Sequence, residues 1–258
     1  MPIEDAPGKA KALYEARRAR TPIAPFTDAD PTLGLADGYA VQGELVRLLL
    51  ADGDTVVGYK AGLTSRPMQH LLGVDQPDLG PVLGSSVYRA GDTLSLAGFI
   101  QPKLEAEIVL TLGAPLRGPG VTGDDARQAV AGASASMEIV DSRFADWRIK
   151  LADTVADLAS SGAVVLSSRV VPLAELPDLR LIGMVLSRDG ELVDTGAGAA
   201  ALGDPLAVVA WLANTLDVGL EPGHVIMTGA LHAAGPMQAG EYLAEFDRLG
   251  PVRLRVVP

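Results

Sequence analysis

Residues 101–112, "QPKLEAEIVLTL", decide how this chain is read. Alternation with period two puts Leu104, Ala106, Ile108, Leu110 and Leu112 on one face of a β-strand, and Lys103, Glu105 and Glu107 on the other. Two like charges roughly 7 Å apart along one strand face are a cost that something must offset. A solvated outer face and a bound cation would both offset it, and spacing alone does not choose between them.

The same kind of segment recurs through the chain. "PVLGSSVY", "DTLSLAGF" and "SASMEIVDS" are short apolar runs between Gly/Pro turns, and 29 Gly and 18 Pro in 258 residues point to many turns and few long helices. "LRLIGMVLSRDGELVDTG" carries Asp-Gly between two strand-like runs and reads as a hairpin. "HVIMTG", "EYLAEF" and "VRLRVV" read as closing strands. Helical spacing is confined to the N-terminal 20 residues, to "ADGYAVQGELVRLLLADG", to "GDDARQAVAGA" and to "DPLAVVAWLANTL". Ser65 is expected to cap a further short helix over residues 66–73. With no repeat or linker dividing it, the chain is expected to be one mixed α/β, strand-rich unit. Residues 1–53 form a helical segment packed on a body spanning 54–258.

Composition narrows the function. Lys+Arg 21 against Asp+Glu 32 leaves a formal charge of -11, which gives no electrostatic reason to bind nucleic acid or an anionic membrane. A small-molecule ligand is expected instead. The chain has no cysteine, which removes disulfides, thiolate zinc sites and a cysteine nucleophile together and fits a cytoplasmic setting. No apolar run approaches the length of a membrane span, and the N-terminus lacks the apolar centre of a secretory signal. Arg17, Arg18 and Arg20 read as the charged outer face of the first helix.

"GAGAAALG" lacks dinucleotide-loop spacing, and there is neither a Walker loop nor a G-x-S-x-G elbow. His70, His224 and His232 are too far apart for a local metal motif and read as surface or hydrogen-bonding residues. The acids are more informative. Glu138 stands opposite Met137 and Ile139 on its own strand, so three acids on two strands could converge. Packed together without a cation they would raise one another's pKa, whereas a divalent ion keeps them ionised. Oxygen ligands alone select a hard cation, Mg²⁺ or Mn²⁺ where water and substrate complete the shell. Taken singly, Lys60 reads as a solvated strand residue and Asp78 as a turn residue.

In order along the chain, "GYKAGLTS", "LGVDQPDLG", "QPKLEAEI", "MEIVDSRFADWRIKLADTVADLASSG" and "VIMTGAL" resemble the hydratase/decarboxylase group of the fumarylacetoacetate hydrolase superfamily. The resemblance runs from about residue 37 to the C-terminus. It implies a β-roll with flanking helices and a divalent metal held on Glu105, Glu107 and Glu138. It also implies acid/base roles for Lys60 and Asp78, and substrate contacts from Thr64, Ser65, Ser160, Ser161 and Thr228. Self-assembly into a homo-oligomer is implied too, and association with a related pathway enzyme is a further expectation.

The implied chemistry begins with a 2-oxo acid chelating the cation through its keto oxygen and carboxylate. Hydration of 2-hydroxypenta-2,4-dienoate or an analogue to a 4-hydroxy-2-oxo acid is the first expectation. Decarboxylation of the 4-oxalocrotonate type is the second, followed by a redirected isomerisation or cyclisation, and by a non-catalytic partner subunit. Two positions depart from the group's usual pattern. Leu158 stands in "VADLASS" where the group reads Asn, and Asp204 stands in "LGDPL" where it reads His. Leu158 is accordingly expected at the pocket, as a residue that alters substrate choice.

Overall fold

A computed structural model describes residues 5–65, 69–70 and 74–258 of the chain. Three helices open it: α1 (Ala6–Ala19), α2 (Phe26–Ala29) and α3 (Leu35–Ala51). Strands β1 (Val56–Gly62), β2 (Asp78–Leu83), β3 (Val87–Arg89), β4 (Thr93–Ser95) and β5 (Lys103–Leu112) follow. After α4 (Gly123–Ala129) comes β6 (Val130–Val140), then α5 (Leu151–Ala156), β7 (Ser161–Leu166), β8 (Val171–Pro172), β9 (Gly183–Arg188) and β10 (Glu191–Ala197). Helix α6 (Pro205–Thr215) precedes β11 (Val225–Met227), β12 (Gly235–Pro236), β13 (Gly240–Phe246) and β14 (Gly250–Val257). The short helix expected after Ser65 falls mostly outside the described residues.

The larger sheet runs β2-β1-β11-β5-β6-β7-β3, with β12 paired to β5 and β8 to β6, and the smaller runs β10-β9-β13-β14-β4. Neither closes into a barrel. The apolar face of β5, Leu104 through Leu112, joins Ala133, Ala135, Met137 and Ile139 of β6 in the main core. Met184, Leu186, Tyr242, Phe246, Val252 and Leu254 of the smaller sheet complete that core from the other side. Burying that face fixes the register of β5, because a slip of one residue would turn Glu105 and Glu107 into the core.

Local chemistry explains the elements. The Asp189-Gly190 turn has positive φ at both residues, 52° and 85°, as a two-residue hairpin between twisted strands requires. Asp204 accepts a hydrogen bond from the amide of Leu206 at 2.9 Å and so caps α6. Two expectations need correction. The helix beginning at residue 123 stops at Ala129, because the chain from Val130 onward pairs with β5 as part of β6. Arg17 is not on a solvated face: its Nη1 donates to the Ser161 carbonyl at 3.2 Å, and burial together with the nearby Arg143 pushes its pKa down to about 10.

Candidate metal centre and active site

The polar face of β5 is largely covered: Glu107 is buried, and Lys103 and Glu105 are half-buried. Glu105 is directly opposite Glu138 in the β5–β6 register, and Glu107 is one pleat further along β5. The three carboxylates offer oxygens that all lie within 4.8 Å of one another. Glu107 and Glu138 are each 1% exposed. Beyond them the same face becomes apolar, with Val109 packed against Val82, Val164 and Met227. The acids therefore sit at the end of a dry sheet face.

Lys60 enters from β1, two strands from β5, and is 2% exposed. Its Nζ lies 2.5 Å from Glu138 Oε1 and donates to the Ala159 carbonyl at 2.9 Å. Burial works to lower its pKa, but the charges of Glu138 and Glu105 outweigh that and the net shift is upward, so Lys60 is a cation here. Asp78 opens β2 opposite Gly62 of β1. A Cβ at residue 62 would stand 2.1 Å from Asp78 Oδ1, so glycine makes room for the carboxylate. Burial pushes Asp78 up to about 6 against the opposing pull of Lys60.

The arrangement fits a divalent cation. Four acids share a buried site with one paired lysine, and Asp78 Oδ1, Glu107 Oε1 and Glu138 Oε2 have no hydrogen-bond partner among the described residues. Burial and the neighbouring Glu138 push Glu105 up to about 7, and the same causes push Glu107 well above the carboxylate range. A cation would fill these orphaned oxygens and remove the repulsion. An all-oxygen set of three carboxylates suits a hard ion that keeps positions for water or substrate. Glu107 Oε2 is held by the amide of Gly229 at 2.9 Å.

The remaining expected contacts divide. Thr64 packs against Gly229, next to the Glu107 anchor. The hydroxyl of Thr228 is taken by the Ile108 carbonyl at 2.7 Å. Ser65 offers its carbonyl to the amide of Gln69. Ser160 Oγ lies 3.2 Å from Thr154 Oγ1, and the Ser161 carbonyl is taken by Arg17 and Arg143. Leu158 is corrected: its side chain is fully buried with Leu13, Leu45, Leu83 and Phe144 rather than turned to the carboxylates.

Sequence reading missed Tyr39, whose hydroxyl accepts from the Leu79 amide at 3.2 Å and whose pKa burial and the charge of Asp78 push up to about 12. His232, read from sequence as a surface or hydrogen-bonding residue, is a hydrogen-bonding one. Its Nε2 accepts from the Ala106 amide, between the two glutamates of β5, at 2.9 Å, while burial lowers its pKa and keeps that nitrogen free to accept. Only its place just beyond "VIMTGAL" hinted at this.

The "Fumarylacetoacetate (FAA) hydrolase C-terminal" family matches residues 48–257. A 2-keto-4-pentenoate hydratase of Burkholderia vietnamiensis is 45% identical over 251 residues, 95% of this chain and 94% of that protein. A 2-hydroxyhexa-2,4-dienoate hydratase of Comamonas testosteroni is 42% identical over 238 residues, covering 90% of each chain. Among solved structures, 4-oxalocrotonate decarboxylase of Pseudomonas putida G7, complexed with magnesium and adipate, superposes with a TM-score of 0.95. It is 34% identical and covers 100% of this chain and 99% of its own.

Proposed function

The chain belongs to the fumarylacetoacetate hydrolase family, and from that premise we propose a divalent-metal-dependent hydratase acting on 2-hydroxypenta-2,4-dienoate or a close analogue. The observation that carries this reading is the Glu105, Glu107 and Glu138 cluster, with Lys60 and Asp78 buried beside it, in a chain 45% identical to a 2-keto-4-pentenoate hydratase. Glu105, Glu107 and Glu138 would hold Mg²⁺ or Mn²⁺. When bound, the cation supplies a Lewis acid that polarises the substrate's keto oxygen and offsets developing negative charge.

The protein's own groups move the protons. The dienol loses its hydroxyl proton and gains one at C5, which gives a conjugated 2-oxo-3-enoate. Water then adds its oxygen at C4 and a proton at C3, giving a 4-hydroxy-2-oxo acid. Asp78, held near pH 6, exchanges protons readily in both directions near neutrality. Lys60, a buried cation, holds charge and a donor hydrogen next to the carboxylates. We assign Asp78 and Lys60 the base and acid of this exchange. Thr64, Ser65, Ser160, Ser161 and Thr228 remain proposed substrate contacts, and a homo-oligomer is the proposed assembly.

A second reading, decarboxylation, is favoured by the superposition on 4-oxalocrotonate decarboxylase over the whole chain. One assay separates them. The protein is incubated with Mg²⁺ or Mn²⁺ and freshly made 2-hydroxypenta-2,4-dienoate, loss of diene absorbance is followed, and the product is weighed by mass spectrometry. Metal-dependent gain of one water supports the hydratase. No turnover there, with release of carbon dioxide from 4-oxalocrotonate, would replace it by the decarboxylase.

A further inference from the structure

The turn between α5 and β7 is unusual. Leu158, Ala159 and Ser160 are three consecutive non-glycine residues with left-handed backbones, φ 57°, 52° and 55°. Each conformation is unfavourable for an L-residue, and three in a row persist only where the surrounding structure over-determines them. All three are buried. The turn also carries a group that touches the site, because the Ala159 carbonyl accepts from Lys60 Nζ at 2.9 Å.

One side chain clasps both ends of this turn. Arg143 Nη2 donates to the carbonyl of Asp157, just before the left-handed run, at 2.9 Å. Its Nη1 donates to the carbonyl of Ser161, just after it, at 3.0 Å. Nε meets Asp157 Oδ1 at 2.5 Å, and the Arg143 amide donates to Asp157 Oδ2 at 2.8 Å. From the other side the carbonyl of Leu158 presses on Gly80, where a Cβ would stand 2.3 Å away, and Gly80 is the register partner of Lys60. The planar guanidinium thus spans the turn as a brace, a geometry that lysine cannot reproduce.

We propose that Arg143 and Asp157 are positioning residues for Lys60, holding the left-handed turn so that the Ala159 carbonyl fixes the ammonium group at its place beside Glu138. The role in turnover rests on the hydratase reading of Lys60. A buried pair that merely stabilised the fold would lower thermal stability and leave kcat per folded enzyme unchanged. A positioning pair lowers kcat with the metal site intact.

The test compares full-length wild type with Arg143→Lys and Asp157→Asn, assayed well below each variant's melting temperature with Mn²⁺ binding followed by EPR. The expected result for Arg143→Lys is a fall in kcat of about 100-fold, with Mn²⁺ affinity within about threefold of wild type. In Arg143→Ala, added guanidinium ion is expected to restore kcat where sodium does not. A folded Arg143→Lys variant with wild-type kcat overturns the proposal. Crystal structures of Arg143→Lys and Asp157→Asn give a readout free of turnover. A re-laid 158–160 turn in which Lys60 Nζ no longer reaches the Ala159 carbonyl supports positioning, and an unaltered turn overturns it. If wild type itself fails to hydrate the dienoate, the hydratase reading fails while the crystallographic arm still decides the brace.

Discussion

Glu105 and Glu107 carry the most consequential electrostatics. Burial and Glu138 raise both above the ordinary carboxylate range, Glu105 to about 7, so in the apo-protein they bind protons that the unfolded chain has released. A raised folded value gives stability that is complete below the unfolded pKa and lost as pH rises through the folded one. Between pH 4.5 and about 7, the ordinary and folded values for Glu105, the metal-free protein should therefore lose thermal stability. A divalent cation takes the place of those protons, so its stabilising effect should grow over the same window. Melting curves with EDTA or Mg²⁺ at about pH 5 and about pH 8 check this. A larger Mg²⁺-induced rise in Tm at the higher pH is expected, and Glu107→Gln should abolish most of it. An equal rise at both pH values would mean that the cation binds elsewhere.

The strands show what a sequence can and cannot reveal. Alternation in "QPKLEAEIVLTL" placed Glu105 and Glu107 on one face, and the structure agrees. Alternation could not show that this face is covered, because cover comes from β1, β2 and the 158–160 turn, which are distant in sequence. Leu158 illustrates the same limit. It was expected at the pocket, but its backbone is left-handed, with φ 57°, its side chain lies in the helical core, and the neighbouring Ala159 carbonyl is the group that reaches Lys60. Gln42 on α3 escaped notice altogether. Its Nε2 donates to the carbonyls of Leu79, beside Asp78, at 2.9 Å and of Val155 at 2.7 Å, fastening α3 to β2 and α5. Gln42→Ala strips two buried carbonyls of their donor and should cost about 2 kcal/mol of stability, measured by denaturant unfolding. Metal affinity should change little, since none of the three glutamates touches Gln42.

The helical segment and the sheet body share one interior. Leu13 of α1 and Val41, Leu45 and Leu49 of α3 pack with Leu83 of β2, Phe144, Ala156 and Leu158 in a single apolar cluster. The family match begins at residue 48, inside α3, so family membership alone would draw the boundary through this cluster. Removing residues 1–53 would leave all of Glu105, Glu107, Glu138, Lys60 and Asp78 in the chain. It would also uncover Leu83, Phe144 and Leu158, each worth about 1.5–3 kcal/mol of burial. Together they approach the roughly 5–15 kcal/mol that keeps a domain folded. Tyr39 and Gln42, which hold the start of β2 beside Asp78, would go as well. A chain starting at residue 54 should therefore show no cooperative thermal transition by circular dichroism and no tight Mn²⁺ site. If it instead melts cooperatively and binds Mn²⁺ as the full chain does, the helices are an accessory to a body that folds alone. The shared cluster argues the opposite, that the first 53 residues are part of the scaffold holding the active site.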